Sequence, residues 1–484
     1  MVLGTTSHAG KSWLATALCR WYARQGLTVA PFKAQNMSNN ARVVPGPDGD
    51  GAEIGSAQYF QALAARAAPD VRMNPVLLKP ERDTASQVVV LGRVRPDLAE
   101  VPWHRRSALL APLAADALRQ LQATHELVVI EGAGSPAEIN LQASDYVNLG
   151  TLRGSQAAAL IVADIDRGGA FAHLFGTHRL LPDDVRGQVR GFVLNRFRGD
   201  ASLLAPGPQQ LQALTGVPTL AVLPMWRGHG LPEEDGVAVE VPGEATAPPA
   251  DRPACRIAIV AWPRISNLDE FQPLRQMRGV QVSWARRPQD LVGADLVILP
   301  GSKHTSSDLA WLHAQGLAAA IAAHAAAARP LLGVCGGLQM LGAALHDPLG
   351  IDGAAAGLGL LPVETTFAPD KRLVDGDARF SALHGFWQPW SGLALRGYQI
   401  RHGRTRALPG ACDHAALHDA DGTPIGWQHG NVLGAYVHGL FEQPALLQAL
   451  FGETVRPLDA VFDGLADFID PHFPPGALMR LIDR

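Results

Sequence analysis

At 484 residues the chain exceeds what one ordinary hydrophobic core serves, so two or three domains are expected. With 47% hydrophobic and 18% charged residues it is globular, which excludes a disordered chain. A formal net charge of −4 gives no electrostatic case for nucleic acid or an anionic membrane surface.

The first motif begins at Gly4: Gly4-Thr-Thr-Ser-His-Ala-Gly10-Lys11-Ser12. It is a variant of G-x-x-x-x-G-K-[ST], with Thr5 where the first Gly belongs and Gly4 one residue early. Such a loop turns a strand into a helix whose first N–H groups bind nucleotide phosphates. Lys11 then reaches the outer phosphates, and the Ser12 hydroxyl takes a Mg2+ ligand position. Trp13, Leu14, Ala17, Leu18, Trp21 and Tyr22 recur at helical spacing behind the loop. His8, inside it, reads either as a contact to nucleotide or substrate or as a solvated loop side chain. The loop stands where a secretory leader would lie, and no apolar run is long enough to span a membrane; the Ala-rich stretch from Leu317 is broken by His324.

A strand-like run follows at 27–31, then the polar stretch Lys33-Ala-Gln-Asn-Met-Ser-Asn-Asn40. Further apolar runs at 127–130, 159–163 and 191–194 each stop at a polar tip. Continuous apolar strands suit a parallel sheet covered on both faces. Ligand chemistry in such sheets collects at the carboxyl ends of the strands, where Glu131, Asp164, Asp166 and Asn195 fall. Residues 227–253 are rich in Gly, Pro and Glu and read as a linker between domains. A second series of strands at 256–261, 280–283, 296–299 and 331–334 indicates another α/β domain.

The last of these strands runs into Gly333-Val-Cys335-Gly-Gly337 and then a helical stretch. This is a nucleophile elbow with Cys in place of Ser, where small neighbours permit the sharp turn that exposes the nucleophile. The Gly336 N–H is suited to stabilise an oxyanion, with a second donor from Gly301-Ser302. A buried, inert Cys in a Gly-rich turn is the competing reading. Among 17 histidines, His438 follows an apolar strand at the same kind of tip and is the candidate base; taken alone it would read as an ordinary surface His. Cys19, Cys255, Cys335 and Cys412 lie far apart with no C-x-x-C pair, so neither a zinc ribbon nor a disulfide framework is indicated and a reduced, cytoplasmic setting is expected.

These residues resemble the cobyric acid synthase family, glutamine-dependent amidotransferases of cobalamin biosynthesis. The resemblance runs through the phosphate loop, Pro31–Asn40, 51–55, 73–79, 130–141, Asp164-Ile-Asp-Arg-Gly-Gly169, 191–200, 263–267, 299–303, the Cys335 elbow and 357–366. It implies an α/β chain: a P-loop, dethiobiotin-synthetase-like parallel-sheet domain at 1–226, the linker at 227–253, a class I glutamine amidotransferase domain at 254–446 and a C-terminal extension at 447–484. It implies ATP- and Mg2+-dependent amidation of four carboxylates of a cobyrinic acid a,c-diamide, with ammonia from glutamine hydrolysed by Cys335 and His438. Gly4, Thr5, Thr6, Gly10, Lys11, Ser12, Lys33 and Asn195 would then bind ATP, with Ser12 and Glu131 on the metal. Asn36, Asn39, Asn40, Asn140, Asp164 and Asp166 are candidate contacts to the corrinoid. Turn closure by the asparagines, and strand-end capping with an Arg167 pair for the aspartates, are the alternatives.

Three departures from the family pattern stand out. His8 replaces an acidic residue. Gly397-Tyr-Gln-Ile-Arg401 replaces Gly-Tyr-Glu-Ile-His, with His402 displaced by one and therefore, on a strand, sent to the other face. Leu440 stands where many class I glutaminases carry Glu, which leaves a Cys335–His438 dyad. A related corrinoid or cell-wall amidotransferase, a partitioning-type P-loop ATPase switch and a degenerate corrinoid-binding regulator are the competing functions, and the oligomeric state stays open.

Overall fold

The computed structural model describes residues 1–46, 48–82, 85–232, 255–410 and 415–483. Most of the expected linker, and Cys412, lie outside the described residues.

In the N-terminal half the strands Val2–Gly4, Ala159–Asp164, Val189–Phe197 and Thr219–Pro224 pair in parallel in that order. A parallel pair, Val29–Phe32 and Leu127–Ile130, joins their edge through a bridge between Val2 and Glu131. Every residue of Ala159–Asp164 is buried, as expected of a strand covered on both faces. The order brings the phosphate loop, Lys33, Glu131, Asp164 and Asn195 to one end of one sheet, because all are carboxyl-terminal to parallel strands. The polar stretch after Lys33 holds a short strand, Gln35–Met37, pairing with Val76–Arg82, and leads into the hairpin Ala41–Pro45/Gly51–Gly55.

In the C-terminal half Val280–Ala285, Cys255–Val260, Leu296–Leu299, Leu331–Val334 and Val432–Ala435 run parallel. Antiparallel strands then extend the sheet, including the long hairpin Val363–Phe380/Ala394–Ala407, which periodicity did not announce. This hairpin reaches the other half: Lys371 pairs with buried Glu53, which also receives Lys79 at 2.7 Å. Cys19, Cys255 and Cys335 are free thiols. No helix of the described residues is long and apolar enough to cross a membrane.

The segment after residue 446 returns to the N-terminal half. Helix Leu458–Ile469 packs Val461, Phe462, Leu465 and Ile469 into the same core as Leu14, Leu18 and Tyr22 of the helix behind the phosphate loop, Lys11–Arg24. Tyr22 Oη donates to the Leu478 carbonyl at 2.6 Å, Trp21 Nε1 donates to Asp470 at 2.7 Å, and buried Arg20 pairs with Asp459. Leu465→Ala should therefore cost about 2–5 kcal/mol, whereas Leu203→Ala, at a side chain 82% exposed, should cost under about 0.5 kcal/mol. Urea unfolding of both variants measures the difference; equal midpoints would show that the tail does not share this core.

Candidate active sites

The phosphate loop closes where Gly10, at φ 103°, caps the N-terminus of its helix. A side chain at Gly10 would be strained by that φ, and its Cβ would lie 2.1 Å from Asn195 Nδ2. Asn195 donates to the Ala9 carbonyl at 3.0 Å, so its amide braces the loop itself. Thr5 is buried, its N–H bonds the Val162 carbonyl at 2.9 Å, and its hydroxyl has no partner among the described residues. Lys11 Nζ donates to the carbonyls of Thr6 and Gly134, both at 3.0 Å. His8 is exposed at φ 61°.

Glu131 sits at the centre of this site, 1% exposed. One oxygen accepts from Ser12 Oγ at 2.7 Å and Lys33 Nζ at 2.8 Å; the other accepts from Gln61 Nε2 at 2.6 Å. Burial would raise its pKa, but the Lys33 ammonium and the bonds from Gln61 and Ser12 outweigh burial and hold it below the ordinary carboxylate value. An ionised carboxylate beside a serine hydroxyl is a hard-oxygen donor set of the kind Mg2+ accepts when phosphate and water supply the remaining ligands.

The other candidates divide. Asp164 caps the Asp166 N–H at 3.0 Å and pairs with Arg196 at 3.0 Å and Arg167 at 3.3 Å; Asp166 pairs with Arg198. The capping and ion-pair alternative is thus what these carboxylates do in this structure. Asn36 bonds Gln58 at 3.1 Å and the Met37 N–H at 3.0 Å. Asn40 Oδ1 accepts from the Leu268 N–H at 3.0 Å, while Asn267 Oδ1 accepts from the Ala41 N–H at 3.0 Å, so Asn40 serves the junction between the halves. Asn39 is half-buried and its Oδ1 has no partner among the described residues; Asn140 is exposed.

The second site is built on the turn between Leu331–Val334 and the helix Gly336–Leu341. Cys335 adopts φ 51° and ψ −103°, a strained conformation for a residue with a side chain, and is 5% exposed. Gly336 opens the helix, so its N–H has no intrahelical partner. A Cβ on Gly336 would lie 2.7 Å from the Ser302 backbone nitrogen, which shows how closely the 300–303 loop approaches the elbow. The Ser302 hydroxyl is committed to Asp308 at 2.6 Å, leaving its backbone N–H as the group that could serve an oxyanion.

His438 is 1% exposed and feels the charge of nearby Cys335, whose thiol donates to the Ile400 carbonyl at 3.6 Å. Its Nδ1 lies 2.9 Å from Glu270 Oε1, and Glu270 Oε2 accepts from the Gly439 N–H at 3.0 Å. The expected Cys335–His438 pair is thus joined in this structure by a third group, a carboxylate that arrives from the turn Leu268–Phe271 rather than from beside the histidine. Glu442, four residues after His438, pairs with Arg42. Burial would lower the His438 pKa, but the Glu270 carboxylate and Cys335 outweigh it and raise it from 6.5 to about 10. Tyr398 stacks on the imidazole at 5.2 Å between centroids. Arg401 lies over the Tyr436 ring at 3.9 Å, and His402 bonds the Ala368 carbonyl at 3.1 Å.

Sequence reasoning missed Glu270 because it lies 168 residues from its histidine, in a run of polar residues, Asn267-Leu-Asp-Glu270, that reads as an ordinary turn.

Residues 1–228 match the family described as the CobQ/CobB/MinD/ParA nucleotide binding domain, and residues 256–446 match the CobB/CobQ-like glutamine amidotransferase domain. The cobyric acid synthase of Methylibium petroleiphilum is 68% identical over 100% of this chain and 96% of its own. That of Leptothrix cholodnii is 66% identical, over 100% and 96%. That of a Polaromonas species is 61% identical, over 100% and 98%.

Because His438 has a raised pKa in the folded chain, its contribution to stability is fully present below pH 6.5 and is lost as pH rises through about 10. Glu270→Gln should remove the main cause. The stability gap between wild type and Glu270→Gln, read by urea unfolding across pH, should be widest below pH 6.5 and narrow toward about pH 10; a gap independent of pH would contradict the pairing.

Proposed function

We propose a reaction sequence for this chain from one premise: it belongs to the cobyric acid synthase family. The chain is an enzyme, a glutamine amidotransferase joined to a nucleotide-binding domain. Its substrates on this reading are ATP, glutamine and a cobyrinic acid a,c-diamide, four of whose carboxylates become amides in a cytoplasmic reaction. We take 1–226 as the synthetase domain, 227–253 as the linker, 254–446 as the glutaminase and 447–484 as an extension that completes the synthetase core. Relatives that carry one name over almost their whole length set aside the partitioning ATPase and the cell-wall enzyme.

The observation that carries the glutaminase half is the Cys335–His438–Glu270 arrangement. His438 takes the thiol proton of Cys335 as Sγ attacks the side-chain carbonyl of glutamine, and the oxyanion meets the N–H groups of Gly336 and Ser302. His438, oriented by Glu270, delivers its proton to the departing nitrogen, so ammonia leaves and a thioester remains. Water, deprotonated by the same imidazole, then cleaves the thioester to glutamate and returns the thiol.

In the synthetase half Thr5, Thr6, Gly10 and Lys11 hold the phosphates of ATP, and Lys33 supplies a second cation at the reacting end. Ser12 and Glu131 would hold Mg2+, which when bound offsets charge on the phosphate oxygens. A carboxylate oxygen of the corrinoid takes the γ-phosphoryl group, giving an acyl phosphate and ADP. Ammonia adds to that carbonyl, loses a proton and displaces inorganic phosphate, leaving the amide. Support comes from the buried Thr5 hydroxyl, which has no partner among the described residues, and from Glu131, held below the ordinary carboxylate value beside Lys33 and Ser12. Asn39 is the asparagine best suited to touch the corrinoid, since its carbonyl oxygen has no partner among the described residues.

Cys335→Ala should abolish synthesis from glutamine and retain synthesis from ammonium, measured as amide formed per ATP consumed; glutamine-dependent synthesis by that variant would overturn the nucleophile. Lys11→Ala should lose synthesis with either nitrogen source while still hydrolysing glutamine. Amidation from ammonium by Lys11→Ala would refute the phosphate-loop role.

A further inference from the structure

Arg42 belongs to the N-terminal half, in the strand Ala41–Pro45, yet its side chain ends beside the glutaminase site. It is 2% exposed. Its guanidinium pairs with Asp269, with Nε at 3.1 Å, and with both oxygens of Glu442, at 2.9 and 2.5 Å. Its flat faces meet Tyr398 at 4.8 Å, Phe60 at 4.9 Å and Tyr59 at 5.5 Å from the ring centroids.

Each partner adjoins the proton-transfer group. Asp269 directly precedes Glu270, which fixes His438 Nδ1 and the Gly439 N–H. Glu442 ends the turn Leu440–Glu442 that follows His438. Tyr398 stacks on the imidazole within 22° of parallel, and its backbone exchanges hydrogen bonds with that of His438 at 2.8 and 3.3 Å. One guanidinium therefore touches three neighbours of His438, and a planar fork fixes their relative positions as a single-point ammonium could not.

The same junction leads back to the phosphate site. Helix Ser56–Ala64 sends Ser56 Oγ toward Asp269 at 3.4 Å, places Phe60 under Arg42, and sends Gln61 to Glu131 at 2.6 Å. One short helix thus contacts both the carboxylate proposed to hold Mg2+ and the ion pair that holds the Glu270 turn.

We infer that Arg42 is a positioning residue of the glutaminase supplied by the synthetase half, acting through Asp269, Glu442 and Tyr398 to hold His438 and Glu270 in the geometry that proton transfer needs.

The test uses the full chain and measures glutamine hydrolysis with and without ATP, Mg2+ and cobyrinic acid a,c-diamide, beside synthesis from ammonium. In Arg42→Gln, kcat for glutamine should fall roughly tenfold or more, while KM for glutamine and synthesis from ammonium should stay within about twofold. Arg42→Lys, which keeps the charge, should recover part of kcat. Unchanged kcat in Arg42→Gln overturns the inference, and so does a parallel fall in hydrolysis and ammonium-dependent synthesis, which marks a general structural role. Should Arg42→Gln not fold, Glu442→Gln removes one of the two ion pairs, and the same split between kcat and KM is required of it. Failure of the wild type to make amide from ammonium would instead refute the proposed function, with the kcat effect on glutamine hydrolysis judged on its own.

Discussion

Burying a carboxylate as an anion requires a cation to reach it, and that requirement fixes how the two halves of this chain meet. Glu131, Asp269 and Glu53 are all nearly inaccessible. An isolated ion at such depth costs several kcal/mol, and removing one partner of a buried pair costs about 3–5 kcal/mol. Glu131 takes Lys33 from the neighbouring strand tip, whereas Asp269 takes Arg42 and Glu53 takes Lys371 from across the junction. Apolar contact alone would tolerate sliding. These pairs do not, because each is directional and each fails if its partner moves by more than a fraction of a bond length.

The same logic explains how strain at Cys335 is tolerated. A non-glycine residue in the conformation of Cys335 costs on the order of 1–3 kcal/mol and persists where its surroundings over-determine it. Here the Cys335 N–H bonds the Ala435 carbonyl at 2.8 Å, the Gly337 N–H bonds Pro300 at 3.0 Å, and the Cys335 carbonyl accepts from Gln339 at 3.1 Å. The elbow is thereby tied to the two loops that carry His438 and Ser302. The Cys335 sulfur, the His438 imidazole and the Ser302 backbone, contributed by three separate strand ends, come together because the strands are neighbours in one sheet.

What could be read from the residues was local or repeated. The phosphate loop, the polar strand tips and the Cys335 elbow each advertise themselves within a dozen residues, since the backbone geometry they need restricts which side chains fit. Parallel strands were legible as continuous apolar runs. The hairpin at 363–407 was not, because its alternation is interrupted by Gly376 and Gly397 and carries many charged residues on the exposed face. Glu270 and Arg42 were illegible for a different reason: their roles exist only after distant segments meet, and nothing in the neighbouring sequence encodes a partner 168 or 400 residues away. Asn40 was legible as a polar candidate but not as a structural one, and its side chain holds the backbone of the other half.

The central claim is that nitrogen freed at Cys335 is joined to a carboxylate activated as an acyl phosphate at the phosphate loop. It is tested most directly by incubating the enzyme with ATP, amide-15N glutamine and cobyrinic acid a,c-diamide carrying 18O in its free carboxylates, then analysing corrinoid and phosphate by mass spectrometry. The account predicts one 15N in each new amide and one 18O transferred to inorganic phosphate for each amide formed. Phosphate without 18O, or 18O found in AMP, would contradict it.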